Sequence, residues 1–430
     1  MKKITLFSIL FLSILSLFAQ DDQAVRADPT FKTEIDKISR DKKIQRAFEI
    51  IGELEPVSMK ELIELTQIPA PPFLEKKRAE RFKQMLQDAG IDSIWIDEAG
   101  NVLALRKGKG NGKTVLFEGH LDTVFPLETD VIVKMKGDTL FAPGIGDDTR
   151  ALSVVLTVVK AMNKAGISTE SDILIAGTVG EEGLGDLRGI KHIFKAGRFK
   201  IDSHIALDGG EIDRLVINGL GSLRYKITFK GPGGHSWGAF GLANPHHAMG
   251  KAIDYFNTAA GTFVAEGPKT TYNVGRIGGG TSVNSIPFET WMEVDMRSLS
   301  PEKLKGIGQI LLEQTNKALN DYNAGIKSGA KLTAHIEKIG ERPSGLQAAD
   351  LPLIGKALAA IEYFKSKPSF STGSTNSNIP ISLGVPSITI GRGGKGGNAH
   401  SLDEWWINEN GAEAIRFALL ILVAEAGLAK

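Results

Sequence analysis

Apolar segments that end abruptly in acidic residues or histidine are the feature of this sequence that most restricts its fold. Residues 115–117 are apolar and predict a buried strand, and the segment leaving this strand carries His120 and Asp122. Residues 144–146 predict a tight loop before Asp147 and Asp148, after which a helical pattern begins. Because ligands bind outside the carboxyl ends of the strands in an open α/β sheet, these residues predict half of a metal site.

Further strands of the same predicted sheet end in the same way. The residues that follow them are Glu181 and Glu182 after residues 172–176, Asp208 after residues 204–207, and His400 after residues 387–390 and a glycine-rich loop. One such histidine is more often a hydrogen-bonding residue than a ligand, and adjacent acids are usually solvated. Several strand ends of this kind in one sheet favour a shared site instead. Alternating strands and helices predict an α/β fold with a mostly parallel sheet flanked by helices.

The segment 213–340 has a different order of elements. Its pattern predicts strands at residues 223–230, 272–277, 290–297 and 331–339, and helices at residues 245–259 and 301–322. This βαββαβ order is the ferredoxin-like arrangement. We therefore predict a domain inserted between two parts of a catalytic domain, residues 44–212 and 341–430. Within the first part, Pro56 is predicted to separate two helices, because proline disrupts a helix interior.

The composition limits the chemistry that is available. With 51 Lys plus Arg and 50 Asp plus Glu, the formal net charge is +1, which argues against a nucleic-acid partner. The 430 residues, 42% of them hydrophobic, are typical of a globular protein with about two or three domains. The sequence has no cysteine, which excludes disulfides, a cysteine nucleophile and thiolate metal sites. Any metal ion must therefore be bound by histidine and carboxylate side chains.

Residues 1–19 predict a secretory signal peptide. Lys2 and Lys3 are followed by an apolar run that extends to Ala19. The alternative is a membrane anchor, but the run is somewhat short for a membrane span and no second run of this kind follows. We therefore expect cleavage near Ala19, export to the periplasm or the medium, and no stable membrane insertion of the mature protein.

Imidazole and carboxylate ligands of this kind suit zinc, with cobalt or manganese as substitutes. The candidate residues include more carboxylates than one tetrahedral zinc ion needs as ligands. Their number therefore favours two metal ions that share one carboxylate. Two such ions can act together on a water molecule and a carbonyl group. A carboxylate beside that water would be the general base.

Several short motifs occur in order between about residue 44 and the end of the chain. They are HLDTV at 120–124, GIGDD at 144–148, Gly-Glu-Glu at 180–182, Leu-Asp at 207–208, GGHSW at 233–237 and Ala-His-Ser at 399–401. Through them the chain resembles the dinuclear zinc exopeptidases and amidohydrolases. That family includes peptidase T, glutamate carboxypeptidase, succinyl-diaminopimelate desuccinylase and aminoacylase. Each motif is weak alone, and their combination is specific.

The resemblance implies a set of metal ligands. In that set His120 and Asp208 bind one zinc ion, Glu182 and His400 bind the other, and Asp147 bridges both. The resemblance also implies a cis peptide bond between Asp147 and the following aspartate.

Two more residues take catalytic roles by the same resemblance. Asp122 would orient the imidazole of His120 and raise its basicity. Glu181 would be the general base, which takes a proton from the bridging water and delivers it to the leaving amine.

The resemblance further implies that the inserted domain forms a homodimer. His235, in its glycine-rich loop, would then reach the partner's active site and stabilise the oxyanion. Asn284 and Arg297 match positions that bind a substrate carboxylate, a task that suits the planar fork of arginine. The alternatives are that His235 serves only its own loop and that Arg297 is a structural ion-pair residue.

These expectations combine into an exported metallo-exopeptidase that hydrolyses the amide bonds of di- and tripeptides. Asp208 stands where many carboxypeptidase-like members have glutamate, which favours the aminopeptidase- and dipeptidase-like members. One alternative is an amidohydrolase of N-acyl amino acids. Another is a metal-dependent peptide-binding protein without turnover, against which Glu181 argues, because a binding protein needs no base beside the metal.

Overall fold

The computed structural model describes residues 25–110 and 112–430. The predicted signal peptide, residues 1–19, lies outside the described residues. In the described part of the chain, no helix combines the length and the apolar character needed to cross a membrane.

The described chain alternates between helices and strands over most of its length. The helices are α1 (Pro29–Ser39), α2 (Lys42–Thr66), α3 (Lys76–Asp88), α4 (Arg150–Lys164), α5 (Arg188–Ala196), α6 (Pro245–Val264), α7 (Pro301–Ala324), α8 (Pro352–Tyr363), α9 (Asn378–Ser382) and α10 (Gly411–Ala426). The strands are β1 (Ile94–Ile96), β2 (Val102–Arg106), β3 (Thr114–His120), β4 (Lys134–Lys136), β5 (Thr139–Phe141), β6 (Asp172–Thr178), β7 (Ser203–Leu207), β8 (Arg214–Gly219), β9 (Gly221–Lys230), β10 (Gly234–His235), β11 (Thr270–Gly279), β12 (Ser285–Ile286), β13 (Glu289–Ser298), β14 (Thr333–Arg342), β15 (Ser369–Gly373), β16 (Ser387–Ile390), β17 (Lys395–Gly397) and β18 (Trp405–Ile407).

An eight-stranded sheet has the order β1-β2-β6-β3-β7-β16-β8-β15. The neighbouring strands β6, β3, β7 and β16 are mutually parallel, while β2 and β8 add to the two sides of this group in antiparallel pairs. The carboxyl ends of the four parallel strands therefore lie at one edge of the sheet. That edge is where the sequence predicts the metal site.

Helices cover both faces of this sheet. β3 is buried over its whole length, and its side chains alternate between the faces. Val115 and Phe117 pack into one apolar cluster with residues of α2, α4 and α10, whereas Leu116 packs into another with residues of α5 and α9. Burial on both faces explains why this strand is a continuous apolar run in the sequence. The predicted α/β class, with a mostly parallel sheet flanked by helices, is confirmed.

A second sheet is antiparallel and has the order β11-β13-β9-β14. Its chain order is β9, α6, β11, β13, α7 and β14, which is the predicted ferredoxin-like βαββαβ order. One face packs against α6 and α7 in a separate apolar cluster that includes Ile227, Phe256 and Leu311. The short strands β10 and β12 pair with each other beside it.

The chain enters the second sheet later than the sequence indicates. β8 falls inside the segment 213–340, yet it pairs with β15 and β16 in the eight-stranded sheet. The second sheet runs from Gly221 in β9 to Arg342 in β14. The pairing of β8 depends on strands far away in the chain, so no local pattern indicates which sheet it joins.

The prediction that Pro56 separates two helices is wrong. α2 is continuous from Lys42 to Thr66 with Pro56 inside it. The helix buries an apolar face on both sides of the proline, including Ile51 and Leu62. This burial outweighs the cost of an interior proline, which is about 3 kcal/mol.

We expect Leu156→Ala to lower the free energy of unfolding by about 2–5 kcal/mol, because it leaves a cavity in the core. Leu156 lies in α4 and is 0% exposed. Denaturant unfolding followed by tryptophan fluorescence measures the change. The matched control is Leu383→Ala, since Leu383 is 60% exposed and its loss should cost less than about 0.5 kcal/mol. Equal effects of the two changes would contradict the buried position of α4.

Candidate metal centre and active site

Acidic and histidine side chains from several strand ends meet at the carboxyl edge of the eight-stranded sheet. Their ligand atoms form three overlapping groups, each within 4.8 Å: His120, Asp147, Asp148 and Asp208; His120, Glu181 and Glu182; and Asp147, Glu182 and His400. The structure thus brings together every residue that the motifs suggest as a metal ligand.

His120 has the character of a metal ligand. Its side chain is 2% exposed, and Nδ1 is 3.0 Å from the main-chain oxygen of Asp122. Nε2 is buried and has no hydrogen-bond partner among the described residues. A buried nitrogen in this state raises the free energy of the fold unless a ligand satisfies it. The residues present therefore fit a divalent cation.

Asp147 lies between the two histidines of the site. Its Oδ1 is 3.4 Å from His120 Nε2, and its Oδ2 is 3.2 Å from His400 Nε2. His400 Nε2 is also 2.8 Å from Glu182 Oε1. With one oxygen near each histidine, the Asp147 carboxylate is placed to bridge two cations. The peptide bond between Asp147 and Asp148 is cis, as the resemblance implies.

The crowding of charges shifts the pKa values of the site. Hydrogen bonds to Asp147 and Glu182 raise the pKa of His400 to about 10. Burial, reinforced by the charge of Asp147, raises the pKa of Asp208 to about 6. Burial opposes ionisation of Asp147, but Arg392 and the two histidines outweigh it and hold its pKa well below its usual range. This concentration of carboxylates is what divalent cations would compensate.

Asp122 connects two strand ends. The residue is fully buried, and its two carboxylate oxygens accept hydrogen bonds from the N–H groups of Glu181 and Glu182 at 2.9 and 2.8 Å. Its Oδ1 is 3.6 Å from His120 Nδ1. Asp122 therefore fixes the backbone of two site residues and contacts the ring of a third. The ring faces the main-chain oxygen of Asp122 more closely than its carboxylate.

Glu181 is 4% exposed and lies beside the ligand set. Burial raises the pKa of its carboxyl group well above the usual range, although the charge of Arg342 opposes this. Arg342 Nη1 donates to Glu181 Oε1 at 3.1 Å and to the main-chain oxygen of Ser374 at 2.9 Å, and Nη2 donates to the main-chain oxygen of Glu181. No sequence motif indicates a role for Arg342. It is the last residue of β14, so no strand-end pattern of the larger sheet points to it.

Arg392, which the sequence motifs also did not indicate, lies among the carboxylates of the site. Arg392 Nη1 is 3.1 Å from Asp148 Oδ1 and 3.5 Å from Asp147 Oδ1 and from Asp208 Oδ1. Its side chain is 12% exposed. Arg392 follows the carboxyl end of β16, which ends at Ile390. Its position after a strand of the parallel group is the signal that could have identified it.

Glu404 fixes the loop that carries Asp147. One of its oxygens accepts from the N–H of Gly144 at 2.6 Å, and the other accepts from Gly146 and Asp147 at 2.9 Å. Gly144 has a φ of +78°, and a Cβ there would lie 2.5 Å from Thr123 Cγ2, so only glycine fits. No sequence pattern indicates this role, because Glu404 and the loop are far apart in the chain.

The structure does not bring His235 and Asn284 to this site within one chain. His235 lies in β10, which pairs with β12, and the N–H of Ser236 donates to the main-chain oxygen of Asn284 at 2.9 Å. Both residues are exposed. Arg297 does reach the cavity over the ligand set, while its Nε donates to Asp295 Oδ2 at 2.8 Å. Arg297 is therefore both an ion-pair residue and part of the cavity wall.

The cavity has a volume of about 550 Å³. Its polar wall consists of Asp147, Glu181, Glu182, Asp208, His400, Ser374, Thr375, Thr389 and the arginines 214, 224, 297, 342 and 392. Apolar surface comes from Val124, Val216 and Ile390. A cavity of this size suits a small ligand or a short peptide.

A match to a known protein family identifies the family of this chain. Residues 116–423 match Peptidase family M20/M25/M40. The chain belongs to this peptidase family. It is a metallohydrolase, and a site for two metal ions is typical of the family. The grouped histidine and carboxylate ligands supply the residues for such a site.

Proteins that are similar to this chain are distant from it in sequence. YqjE of Bacillus subtilis, described as uncharacterized, is 24% identical over 355 residues, which are 78% of this chain and 90% of that protein. The structure of aminopeptidase PepT from Bacillus cereus is 20% identical, with a TM-score of 0.67 over 86% of this chain and 98% of its own. The Bacillus subtilis YXEP protein, described as a dinuclear metal binding peptidase, is 16% identical, with a TM-score of 0.61 over 87% and 100%. The two structures share the fold of this chain.

We expect Asp122→Asn to lower the affinity for divalent metal by about 10–100-fold, as changes behind a ligand typically do. The new amide group would place N–H donors against the N–H of Glu181 or Glu182. Zinc titration in competition with a chromophoric chelator measures the affinity. Asp350→Asn is the matched control, because Asp350 is exposed. Unchanged affinity in folded Asp122→Asn protein would contradict the supporting role of this carboxylate.

Proposed function

We propose that the chain is an exopeptidase that hydrolyses the amide bonds of short peptides, with zinc as the native metal. The observation that carries the proposal is the position of Glu181. It is a buried carboxyl group with a raised pKa, beside the ligand set and in the wall of the cavity. Such a group is suited to proton transfer near neutral pH. The all-oxygen-and-nitrogen ligand set suits zinc, and cobalt or manganese would substitute.

In this proposed reaction, Glu181 transfers protons and Arg342 positions Glu181. When bound, two divalent ions would activate a water molecule and polarise the scissile carbonyl. Glu181 takes a proton from the attacking water and delivers it to the nitrogen of the leaving amine. Arg342 holds the Glu181 carboxylate in place through its contact with Oε1. A peptide-binding protein without turnover would need no such base.

We expect the metal-loaded protein to hydrolyse members of a panel of di- and tripeptides. Chelation should abolish the activity, and zinc, cobalt or manganese should restore it. Glu181→Gln should lower kcat by about 10²–10⁴-fold, because proton transfer by a positioned side chain contributes this much. Amine release, with metal content measured on the same samples, reports both effects.

The matched control is Glu98→Gln, since Glu98 is 87% exposed on its side chain. N-acetyl amino acids in the same panel separate the rival function, because hydrolysis of these compounds alone would identify an amidohydrolase. Full activity after verified removal of metal would overturn the whole scheme. Full activity of Glu181→Gln would contradict the assignment of Glu181 as the general base.

We further propose that the chain forms a homodimer in which His235 completes the partner's active site. Within one chain His235 and Asn284 are exposed and do not line the cavity. The same region exposes Trp237 at 88%, Phe240 at 91% and Val283 at 103%. Exposed apolar side chains gathered in this way mark interaction surfaces. A second copy packed here would cover them.

The hydrogen bonds of His235 suit the role of a donor to an oxyanion. Its Nδ1 accepts from the N–H groups of Trp237 and Gly238 at 3.2 and 3.3 Å. The neutral ring then carries its proton on Nε2, the nitrogen that is left to donate. Asn284 and Arg297 would bind the carboxylate of the substrate, as the motif resemblance implies.

We expect a mixture of His235→Ala and Glu181→Ala chains to recover activity that neither variant has alone. A mixed dimer contains one intact site, so random exchange of equal amounts should restore about a quarter of wild-type activity in a two-fold symmetric dimer. Turnover after subunit exchange measures this, with hybrid formation verified by mass. Replacing the first variant with a His235→Ala/Glu181→Gln double variant is the control, because no site can then be intact. No recovery in verified hybrids would contradict a shared site.

Export is part of the same proposal. Residues 1–19 have the basic start and apolar run of a secretory signal. Detection of the mature protein outside the cytoplasm, with its new N-terminus near residue 20, would support it.

A further inference from the structure

The cavity wall contains more arginines than contact the carboxylates of the metal centre. Its wall contains five arginines: Arg214, Arg224, Arg297, Arg342 and Arg392. Arg342 contacts Glu181, and Arg392 contacts the carboxylates of the ligand set. Those two arginines belong to the metal centre. The other three have no role in it.

Arg224 and Arg297 share a single carboxylate. The Nε atoms of the two arginines donate to the two oxygens of Asp295, each at 2.8 Å. β9 and β13 place Arg224 directly opposite Asp295 in the second sheet. Since one negative charge faces two guanidinium groups, one positive charge remains on this wall of the cavity.

Arg214 lies on the other sheet. It is the first residue of β8, which pairs antiparallel with β16, and so it lies near the carboxyl edge of the parallel strands. Its Nε donates to Ser371 Oγ at 2.9 Å. Among the residues that the structure describes, no carboxylate lies within ion-pair distance of its guanidinium, and the residue is exposed. Its Nη atoms are thus available to a ligand in the cavity.

Arg214 is not needed to neutralise the metal centre. The carboxylates there are Asp122, Asp147, Asp148, Glu181, Glu182 and Asp208. Arg342, Arg392 and two divalent ions would already match the formal charge of these six. The buried carboxylate of Glu404, beside Asp147, accepts hydrogen bonds from three backbone N–H groups instead. A cation beyond that balance, in a wall that faces the site, is expected to attract an anionic group of the substrate.

We infer that the cavity takes amide substrates with an acidic group on each side of the scissile bond, one bound by Arg297 and the other by Arg214. The inference rests on the proposed amide hydrolysis and names its substrate class. The forked guanidinium groups suit carboxylates, which they can bind through two hydrogen bonds. Two kinds of compound share this chemistry: dipeptides with an acidic first residue, and N-acyl amino acids whose acyl chain ends in a carboxylate.

The test uses two pairs of substrates that differ only in the charge of the second group. Glu-Ala is compared with Gln-Ala, and N-succinyl-alanine with its carboxamide analogue, N-succinamoyl-alanine. The acidic member of the hydrolysed pair should have a kcat/KM at least about tenfold higher, the usual contribution of a charge-assisted hydrogen bond. Hydrolysis of the first pair would identify a dipeptide with an acidic first residue as the substrate. Hydrolysis of the second pair would identify an N-acyl amino acid whose acyl chain ends in a carboxylate.

Arg214→Gln should remove most of this preference by raising KM for the acidic member about tenfold, with kcat little changed. A thermal unfolding midpoint and a circular dichroism spectrum equal to those of the wild-type protein should show that the variant is folded. Arg214→Lys should keep part of the preference, because it keeps the charge and loses the fork. Arg46→Gln is the matched control, since Arg46 is exposed on α2 and pairs with Glu49.

A binding measurement separates this inference from the proposed function. In Glu181→Gln protein, calorimetry should show the acidic member binding about tenfold more tightly than the neutral one, and the added Arg214→Gln change should cancel the difference. Equal affinities, or a preference that survives Arg214→Gln, would overturn the inference even if all amides are hydrolysed. Failure to hydrolyse any of the four compounds would instead count against the proposed function, and the affinities would still decide the role of Arg214.

Discussion

The concentration of carboxylates at one edge of the eight-stranded sheet is the constraint on which the rest of the structure depends. Asp122 and Asp148 are fully buried, Glu181 and Glu182 nearly so. Negative charges this close together destabilise one another in a medium of low polarity, and they persist only beside cations and hydrogen-bond donors. Arginines from two sheets supply part of that compensation. Metal ions, for which the family typically has a two-ion site, would supply the rest.

Two buried carboxylates, those of Asp122 and Glu404, support the backbone of the residues that face the cavity. Asp122 accepts from the amides of Glu181 and Glu182, and Glu404 accepts from the amides of the loop before Asp147. Each of these supporting carboxylates joins segments that are distant in the chain. Hydrogen bonds between strand ends and loops therefore hold the ligand residues in position.

The second sheet is part of the active site as well as a candidate interface. Arg342, at the end of β14, contacts Glu181, and Arg224 Nη1 donates to the main-chain oxygen of Gly183 at 2.9 Å. The orientation of this sheet against the first one thus affects the proposed base and the loop that carries it. Any shift between the two sheets would change the charge around Glu181, which links the geometry of the cavity to the chemistry within it.

The sequence by itself determined the α/β class, the βαββαβ order and the convergence of His120, Asp147, Glu182, Asp208 and His400. Apolar periodicity is a local property, and the carboxyl ends of parallel strands must share an edge. Only the tertiary structure decided that Arg342, Arg392 and Glu404 support the site, that β8 joins the larger sheet, and that α2 passes through Pro56. Those outcomes depend on contacts between segments far apart in the chain. Packing and charge compensation in three dimensions determine such contacts, and a local sequence pattern cannot predict them.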